Sequence, residues 1–311
     1  MNGASAIHLS IFGMQPVVKH GSDELKAATL PRIVNGDLHV CFGVTEPGAG
    51  LDTSRITTFA KREGGHVPHQ RAKGVDLQAL ESEKILLLTR TESPDDLEKR
   101  GAKKTDGMTL FLTDLDRDHV DIRPIKKMGR NAVSSNELFI DDLIVPIEDR
   151  VGEEGKGFKY ILDGLNPERM LIAAEALGIG RVALEKAVKY GNERVVFNRP
   201  IGMNQGLQFP LADSLARLDA AELVLRKATW LYDNGKPCGR EANTAKYLCA
   251  DAGFGAADRA LQLHGGMGGY SEEYHVSRYF RESRLMKIAP VSQEMILNFL
   301  GEHVLGLPRS Y

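Results

Sequence analysis

Residues 42–52 read FGVTEPGAGLD, and the rest of the chain can be organised outward from this stretch. The glycines at 48 and 50 predict a tight turn whose backbone N–H groups can closely approach an anion or a flat ring. The competing interpretation is an ordinary surface turn, which a bare Pro-Gly-x-Gly pattern fits equally well. The sequence on either side has to separate these two interpretations.

On the C-terminal side of this turn, short apolar runs alternate with Gly, Asp, Asn and Pro. Such runs between turn residues predict strands, here over residues 85–89, 108–112, 120–125 and 137–140. No helical repeat is predicted between them. This order favours an antiparallel sheet or barrel.

From residue 157 onward the apolar period becomes helical. Long helices with short connections predict a bundle, with helices over 170–190, 208–233, 242–263 and 293–304. Asn166-Pro167 has the pattern of an N-cap followed by proline at the first helical position, so we expect a helix to begin there. Before the glycine turn, helices are predicted over 4–17 and 23–33.

Composition excludes several classes of protein. The 311 residues are 42% hydrophobic and 26% charged, which is typical of a soluble globular chain. A net charge of -2 argues against bulk nucleic-acid binding, and no apolar run reaches the length of a membrane span. Cys41, Cys238 and Cys249 lack metal-site spacing, so we predict no metal and a reducing compartment.

Further motifs accompany the glycine turn. Residues 262–268 read QLHGGMG, residues 193–197 read ERVVF, and residues 128–130 read MGR. With residues 42–52, they resemble the motifs of the FAD-dependent acyl-CoA dehydrogenases, among them T-E-P-x-A-G-S-D, E-R-x-x-F and Q-x-x-G-G-x-G. Stretches that resemble this family run over nearly the whole chain, and several ordered motifs are far more specific than any one alone.

The resemblance implies an α+β fold of the acyl-CoA dehydrogenase type. Residues 1–39 would be a remnant of the N-terminal helical domain, 40–156 a middle antiparallel β-barrel domain that binds flavin and acyl-CoA, and 157–311 a C-terminal four-helix bundle. The family's N-terminal domain is longer than this remnant. We therefore expect an N-terminally truncated chain that lacks one wall of the acyl cavity and exposes apolar surface.

The resemblance also implies FAD and the residues that hold it. An arginine fork such as that of Arg194 suits a pyrophosphate, although a lone arginine is more often a solvated surface charge. The family places Arg194, Phe197 and the 262–266 turn across a subunit interface, so we expect a homo-oligomer, either a dimer or a tetramer. The residues that match family FAD contacts are Phe42, Val44, Thr45, Gly50, Arg194, Phe197, Gln205, Gln262, Gly265 and Gly266.

The activity implied is α,β-dehydrogenation of an acyl-CoA thioester to trans-2-enoyl-CoA, with electrons passed to an electron-transfer flavoprotein. Oxidases, monooxygenases and desulfinases share the fold and remain alternatives, as does a catalytically impaired fragment. The resemblance places the protein in the cytoplasm of a bacterium, or in the mitochondrial matrix or peroxisome of a eukaryote. Acyl chain length is left open, because the wall that sets it is expected to be missing.

Dehydrogenation of this kind needs a carboxylate base in an apolar pocket that excludes water. Most members of the family place a Glu where this chain has Gln293, and the next residue, Glu294, is turned by about 100° on a helix. A minority that includes the isovaleryl and long-chain enzymes places a Glu directly before an Arg, and Glu168-Arg169 matches that pattern. The competing role for Glu168 is to complement a helix N-terminus. The resemblance therefore predicts Glu168 as the base and assigns substrate contacts to Leu51, Asn166 and Arg169.

Residues 65–78 read GHVPHQRAKGVDLQ and depart from the family, which has a strand there. Pro68 and the charged residues predict poor strand pairing, and Val75 takes the place of a Trp beside the flavin. A shift of the reading frame by one base would permit the family strand, so the segment is interpreted as the result of two compensating frameshifts in the gene or of an error in the sequence. With the missing helices, this segment predicts that the chain as written is a weak dehydrogenase.

Overall fold

The computed structural model describes residues 2–61 and 72–310. The chain divides into two compact units, a β-rich unit Asn2–Leu165 and a helical unit Asn166–Tyr311. Two apolar cores lie within the β-rich unit, and one lies within the helical unit. The predicted division into three domains, at residues 39/40 and 156/157, stays a prediction.

The β-rich unit begins with three helices, α1 (Asn2–Phe12), α2 (Gln15–His20) and α3 (Asp23–Asn35). The single helix predicted over 4–17 is wrong, because the chain breaks at Gly13-Met14 and restarts with Pro16 in the first turn of α2. The prediction over 23–33 is confirmed. Ser22 caps α3 by accepting a hydrogen bond from the Leu25 amide at 3.1 Å.

The strands of this unit form two sheets, β1-β3-β4-β7 and β2-β6-β5. All four predicted strands are present, and the predicted fold class is confirmed. One pair departs from the predicted antiparallel arrangement, because β1 runs parallel to β3, whereas the other pairs are antiparallel. The elements are β1 (Val40–Gly43), β2 (Ala72–Leu77), β3 (Lys84–Arg90), α4 (Pro94–Lys99), β4 (Met108–Asp114), β5 (Val120–Pro124), β6 (Ser135–Ile140) and β7 (Arg150–Val151).

The predicted poor pairing of residues 65–78 is wrong for the part that forms β2. Ala72 lies opposite Ile140 and Leu77 opposite Ser135 in a continuous antiparallel ladder. An edge strand pairs on one side only, and β2 is the edge of its sheet, so it needs fewer ladder bonds than a central strand. The prediction for residues 65–71 lies outside the described residues, as does the side chain of Val75.

The first long helix, α5, runs over Gly157–Glu193 and carries Pro167 inside it. The predicted start at Asn166 is therefore wrong. Tyr160 and Ile161 are buried in an apolar core of the β-rich unit, and this packing favours helix upstream of the proline. Because Glu168 lies well inside α5, it does not complement the N-terminus of a helix.

The helical unit continues with a short hairpin, β8 (Val195–Val196) and β9 (Arg199–Pro200), and then the remaining helices. These are α6 (Gln205–Asp233), α7 (Gly239–Gly265), α8 (Val276–Met286) and α9 (Gln293–Phe299). The predicted helices over 170–190, 208–233 and 242–263 are confirmed. The segment predicted as a fourth long helix, 293–304, is divided between α9 and a π-helical turn, Leu300–Val304, and α8 was not predicted. Glycine lets α5 and α7 approach closely, since a Cβ on Gly253 would lie 2.3 Å from the Ala176 carbonyl oxygen. Within the described ranges, no helix has the length and apolar character needed to cross a bilayer.

Candidate functional site

The glycine turn that follows β1 is held in place by a buried carboxylate. Glu46 is only 8% exposed. It accepts hydrogen bonds from the amide and hydroxyl of Thr57 at 2.9 and 2.8 Å, and from those of Thr58 at 2.7 and 2.6 Å. Thr57 and Thr58 are separated from Glu46 by a loop. The sequence motif therefore identified Glu46 but could not predict its hydrogen-bond partners. Glu46 fixes the turn to residues 57–58 and is fully engaged in doing so.

The outer side of this turn is open. A Cβ added at Gly48 or Gly50 would meet no atom within 4 Å, and Leu51 is 66% exposed. Of the predicted cofactor residues here, Thr45 and Gly50 are exposed, whereas Phe42 is half-buried and Val44 buried. Backbone N–H groups at such a turn are accessible to a ring edge or an anion.

The hairpin after α5 presents its side chains to solvent in the single chain. Phe197 is 94% exposed, and Arg194 and Gln205 are exposed as well. Phe197 and Asn198 have φ values of +50° and +63°, the pattern of a tight two-residue hairpin turn that few residue types favour. The turn therefore places a large aromatic side chain in solvent, and exposed apolar groups of this kind are typical of contact surfaces.

The predicted glycine turn at the end of α7 is also open. Gly265 has a φ of +66°, and Gln262, Gly265 and Gly266 are exposed. The next residues form a π-helical turn, Gly266–Tyr270, of a kind often found at functional sites. These exposed backbone groups resemble those of the turn at 48–50.

An aromatic cluster packs against the residues of this second turn, and it was not predicted from the sequence. The rings of Tyr190 and His264 stack at 4.4 Å, and Tyr274 lies 5.4 and 5.6 Å from them. His264 is buried, its Nδ1 lies 2.8 Å from the Ala260 carbonyl oxygen, and burial lowers its pKa. A lowered pKa favours the neutral form of His264, so this side chain packs as an uncharged aromatic ring.

The predicted base lies within the helical unit, in α5. Glu168 is 8% exposed. Its neighbour Arg169 is half-buried and donates from Nη1 to the Asn166 side-chain oxygen at 3.0 Å. Burial lowers the pKa of Arg169, while the carboxylate of Glu168 acts in the opposite direction. The structure thus brings together three of the residues assigned to catalysis and substrate binding.

A buried cation that was not predicted lies in the same neighbourhood. Lys246 of α7 is fully buried, and its Nζ donates to the Val291 carbonyl oxygen at 2.6 Å. Burial lowers its pKa to about 8, and the carboxylates of Glu294 and Glu168 oppose that shift. Two cations, Lys246 and Arg169, therefore act electrostatically on the Glu168 carboxylate.

The alternative position for a base has different surroundings. Gln293 is half-buried, and its Nε2 donates to the Tyr247 carbonyl oxygen at 3.4 Å. Glu294 is exposed, and its pKa is lowered by its own backbone amide and by the Ser292 hydroxyl. An exposed carboxylate of lowered pKa is a weak base in contact with water.

Comparison with known proteins agrees with a β-rich region followed along the chain by a helical region. The family model for the acyl-CoA dehydrogenase middle domain matches residues 41–143, and that for the C-terminal domain matches residues 155–305. The chain is 38% identical over 301 residues to acyl-CoA dehydrogenase FadE12 of Mycobacterium tuberculosis, which is 95% of this chain and 74% of that protein.

Two further similarities extend the comparison. The chain is 33% identical to a 3-(aryl)acrylate reductase of Clostridium sporogenes, over 98% of this chain and 79% of that protein. It superposes on butyryl-CoA dehydrogenase from Megasphaera elsdenii with a TM-score of 0.88 and 30% identity, covering 97% of this chain and 76% of that one. With both family models matched in order and sequence identity sustained over almost its full length, the chain belongs to the acyl-CoA dehydrogenase family of flavoenzymes.

Proposed function

We propose that this protein catalyses α,β-dehydrogenation of an acyl-CoA thioester to trans-2-enoyl-CoA and passes the electrons to an electron-transfer flavoprotein. The observation that carries the proposal is the buried carboxylate of Glu168, which interacts electrostatically with Arg169 and Lys246, while Gln293 occupies the usual base position. A buried carboxylate has the raised basicity that abstraction of a weakly acidic α-proton requires.

The residues of the two open turns fit FAD. Family members use FAD, which when bound supplies the hydride acceptor. Each turn offers exposed backbone groups with no side chain in the way, Gly48 and Gly50 in one and Gly265 and Gly266 in the other. By family resemblance, the first turn and Val44 and Thr45 would hold the flavin ring, and the second turn with Arg194 would hold the pyrophosphate.

Glu168 would take the α-proton onto its carboxylate oxygen. Burial alone would favour the protonated, inactive form of this group, whereas nearby positive charge favours the ionised form. Arg169 and Lys246 supply that charge. At the proposed base, burial and positive charge would therefore act in opposite directions on the carboxylate. Hydrogen-bond donors at the thioester oxygen would stabilise the enolate that forms.

Substrate binding would use the same stretch of α5. The bond from Arg169 to Asn166 fixes the guanidinium near the proposed base, where it could hold the CoA moiety. Leu51 occupies the position at which the family motif has Ser, so this chain would make one substrate hydrogen bond fewer.

We also propose a homo-oligomer, a dimer or tetramer, that completes the FAD site. Phe197 at 94% exposure is far more accessible than a large aromatic residue usually is in a finished assembly. A second copy that covers Phe197 and brings Arg194 to its FAD would explain both exposed side chains.

The experiment that tests the activity is an anaerobic titration of the FAD-loaded protein with saturated acyl-CoAs of graded chain length. Loss of visible flavin absorbance together with formation of trans-2-enoyl-CoA, identified by mass spectrometry, is the expected result. Enoyl-CoA formation accompanied by hydrogen peroxide in air would instead favour an oxidase. No absorbance loss with any acyl-CoA, in protein that retains FAD, would contradict the proposal.

The similarity to a 3-(aryl)acrylate reductase favours a second candidate, the reverse reaction. Glu168 would then deliver its proton to the α-carbon of an unsaturated substrate. Chemically reduced FAD-loaded protein, mixed with enoyl-CoAs and with aryl acrylates, separates the two directions. Faster flavin reoxidation by an aryl acrylate than reduction by any acyl-CoA would favour the reductase.

A further inference from the structure

Arg90, the last residue of β3, is buried in the β-rich unit with one of its nitrogen donors unused. It is 4% exposed. Its Nε donates to the Ile56 carbonyl oxygen at 2.8 Å, and its Nη2 donates to those of Ser54 and Lys104 at 2.5 and 3.2 Å. Among the residues that the structure describes, the buried Nη1 has no hydrogen-bond partner. A buried donor of this kind is rare in folded proteins and indicates a water molecule, an ion or a ligand.

A cavity of about 760 Å³ adjoins this arginine. Arg90 lines it together with Ser54, Ile56 and Lys104, the three residues whose carbonyl groups hold the guanidinium. The cavity lies within the β-rich unit, between residues 54–59 and the segment 94–104 that contains α4. Its volume is in the range of small-molecule sites and far exceeds what a single water molecule occupies. A ligand therefore accounts for the space and for the unused donor together.

The charges at the wall of this cavity favour an anion. Three cations line it, Arg55, Arg90 and Lys104, against one carboxylate, that of Glu98. The side chains of Arg55 and Lys104 are exposed, and neither forms an ion pair with another described residue. Arginine and lysine that are not already paired are available to a carboxylate or phosphate oxygen.

The rest of the wall is largely apolar. Ile56 and Leu97 are buried there, and Phe59 and Ala102 are half-buried. A small inorganic anion would leave these groups facing water, whereas an apolar chain would cover them. The ligand that fits both parts of the wall carries one anionic group on an apolar body.

We propose that this cavity binds an amphiphilic carboxylate, of the class of medium-chain fatty acids. The carboxylate would accept a hydrogen bond from Arg90 Nη1 in the field of Arg55 and Lys104, and the chain would lie against Ile56, Phe59 and Leu97. The cavity uses none of the residues assigned to FAD, to acyl-CoA or to proton transfer. The proposal therefore stands or falls independently of the proposed function.

The test is isothermal titration calorimetry of the FAD-loaded protein with octanoate, and with octanol and inorganic phosphate as probes of each part alone. We expect octanoate to bind saturably, and the other two at least about tenfold more weakly, because neither carries both the anion and the chain. Lys104→Glu reverses a charge at the cavity and should weaken octanoate binding by about tenfold.

The matched control is Lys103→Glu. Lys103 is the adjacent residue and is exposed like Lys104, but it lines a different cavity. The two variants have the same net charge, so a difference between them reports the position of the charge. We expect Lys103→Glu to change octanoate affinity by less than about twofold. An equal loss in both variants would overturn the proposal, because it would show only a general attraction of the anion.

Arg90→Met removes the unused donor and should abolish measurable octanoate binding. It also removes the bonds that join residues 54 and 56 to residue 104, so a second variant is needed if it does not fold. Ala102→Phe fills the cavity from a half-buried position, leaves Arg90 in place and should abolish octanoate binding as well.

Octanoate also resembles the acyl part of the substrate in the proposed function, so octanoyl-CoA is added as a competitor. Octanoate that octanoyl-CoA displaces, with unchanged affinity in Lys104→Glu and Ala102→Phe, would lie in the acyl site and would overturn the proposal. Absence of saturable octanoate binding would overturn it too. A bromine anomalous peak within this cavity, in crystals grown with 8-bromooctanoate, would support it.

Discussion

Two buried glutamates, one in each unit, show how surroundings decide the role of a carboxylate. Glu46 and Glu168 are both 8% exposed. Glu46 is held by amide and hydroxyl donors of Thr57 and Thr58, whereas Glu168 lies in the field of two cations, Arg169 and Lys246. Fixed donors on both carboxylate oxygens stabilise one geometry, which suits a structural role. Nearby charges, in contrast, shift the equilibrium between the protonated and the ionised carboxylate, and a base has to change between these two forms.

The largest expected effect separates these two roles directly. Glu168→Gln removes the proposed base without changing side-chain size, and we expect flavin reduction by acyl-CoA to slow by about 10²- to 10⁴-fold. FAD content should stay within twofold of that of the unmutated protein. Stopped-flow reduction measures the rate, and Glu46→Gln is the matched control. A loss of reduction confined to the Glu46 variant would reverse the comparison.

The second prediction concerns Glu46. Gln at this position presents one acceptor and one donor to a set of donors, so we expect the free energy of unfolding to fall by about 2–4 kcal/mol. The rate of flavin reduction per bound FAD should change less than threefold. Urea unfolding followed by circular dichroism checks the first value. Glu98→Gln, at an exposed position of α4, is the control and should be silent.

The regions around the two glutamates also show how much of the structure could be predicted from the sequence. Segments 208–233 and 242–263 were predicted well because an apolar period of a helix repeats over many turns. The motifs placed both glycine turns and the Glu168-Arg169 pair. The start of α5 was missed, because burial of Tyr160 and Ile161 outweighs the local signal of Asn166-Pro167.

Local sequence patterns could not predict which residues contact the functional side chains. The bonds from Thr57 to Glu46 and from Lys246 to Val291 join residues that are distant in sequence, and only the folded chain brings them together. The platform under the second glycine turn, Tyr190 with His264, is of the same kind. A single sequence shows which residues have the right chemistry, but not which neighbours limit or tune it.

The third prediction uses the buried cation of α7, Lys246. The pKa of Lys246 is lowered by burial to about 8 from 10.5, so the unfolded chain binds more protons between these values. Stability from this group is therefore lowest below about pH 8 and rises as the pH increases toward 10.5. We expect the unfolding free energy of the unmutated protein to rise by about 2 kcal/mol relative to that of Lys246→Met over that window. A difference that is constant with pH, measured by urea unfolding, would contradict this prediction.

The fourth prediction asks whether cofactor retention depends on the exposed hairpin rather than on either glutamate. Arg194→Ala should weaken FAD retention by about tenfold, as expected for loss of one charged contact, and lower the oligomer mass. Fluorescence of released FAD and light scattering measure the two effects. Arg240→Ala, another exposed arginine, is the control. A strictly monomeric form that keeps one FAD per chain would contradict the proposed shared site.

The smallest expected effect is that of Glu294→Gln. Glu294 lies next to the usual base position, and sequence alone makes it a rival of Glu168. Its carboxylate is exposed, and its own backbone amide and the Ser292 hydroxyl lower its pKa, so it holds a proton poorly. We therefore expect a change in flavin reduction of less than about twofold, since a solvated base of lowered pKa gains little in the transition state.

The sharper form of this test places a carboxylate at the neighbouring position. Gln293 is half-buried and joined to α7 through Tyr247, so Gln293→Glu puts a base on the inner side of the same turn. In the Glu168→Gln background this change should restore part of the lost rate, whereas Glu294 is already present there and restores nothing. Recovery by Gln293→Glu with no effect of Glu294→Gln would show that burial and orientation, rather than proximity in sequence, select the base. A large loss in Glu294→Gln alone would show the opposite and would transfer the role of base to the exposed carboxylate.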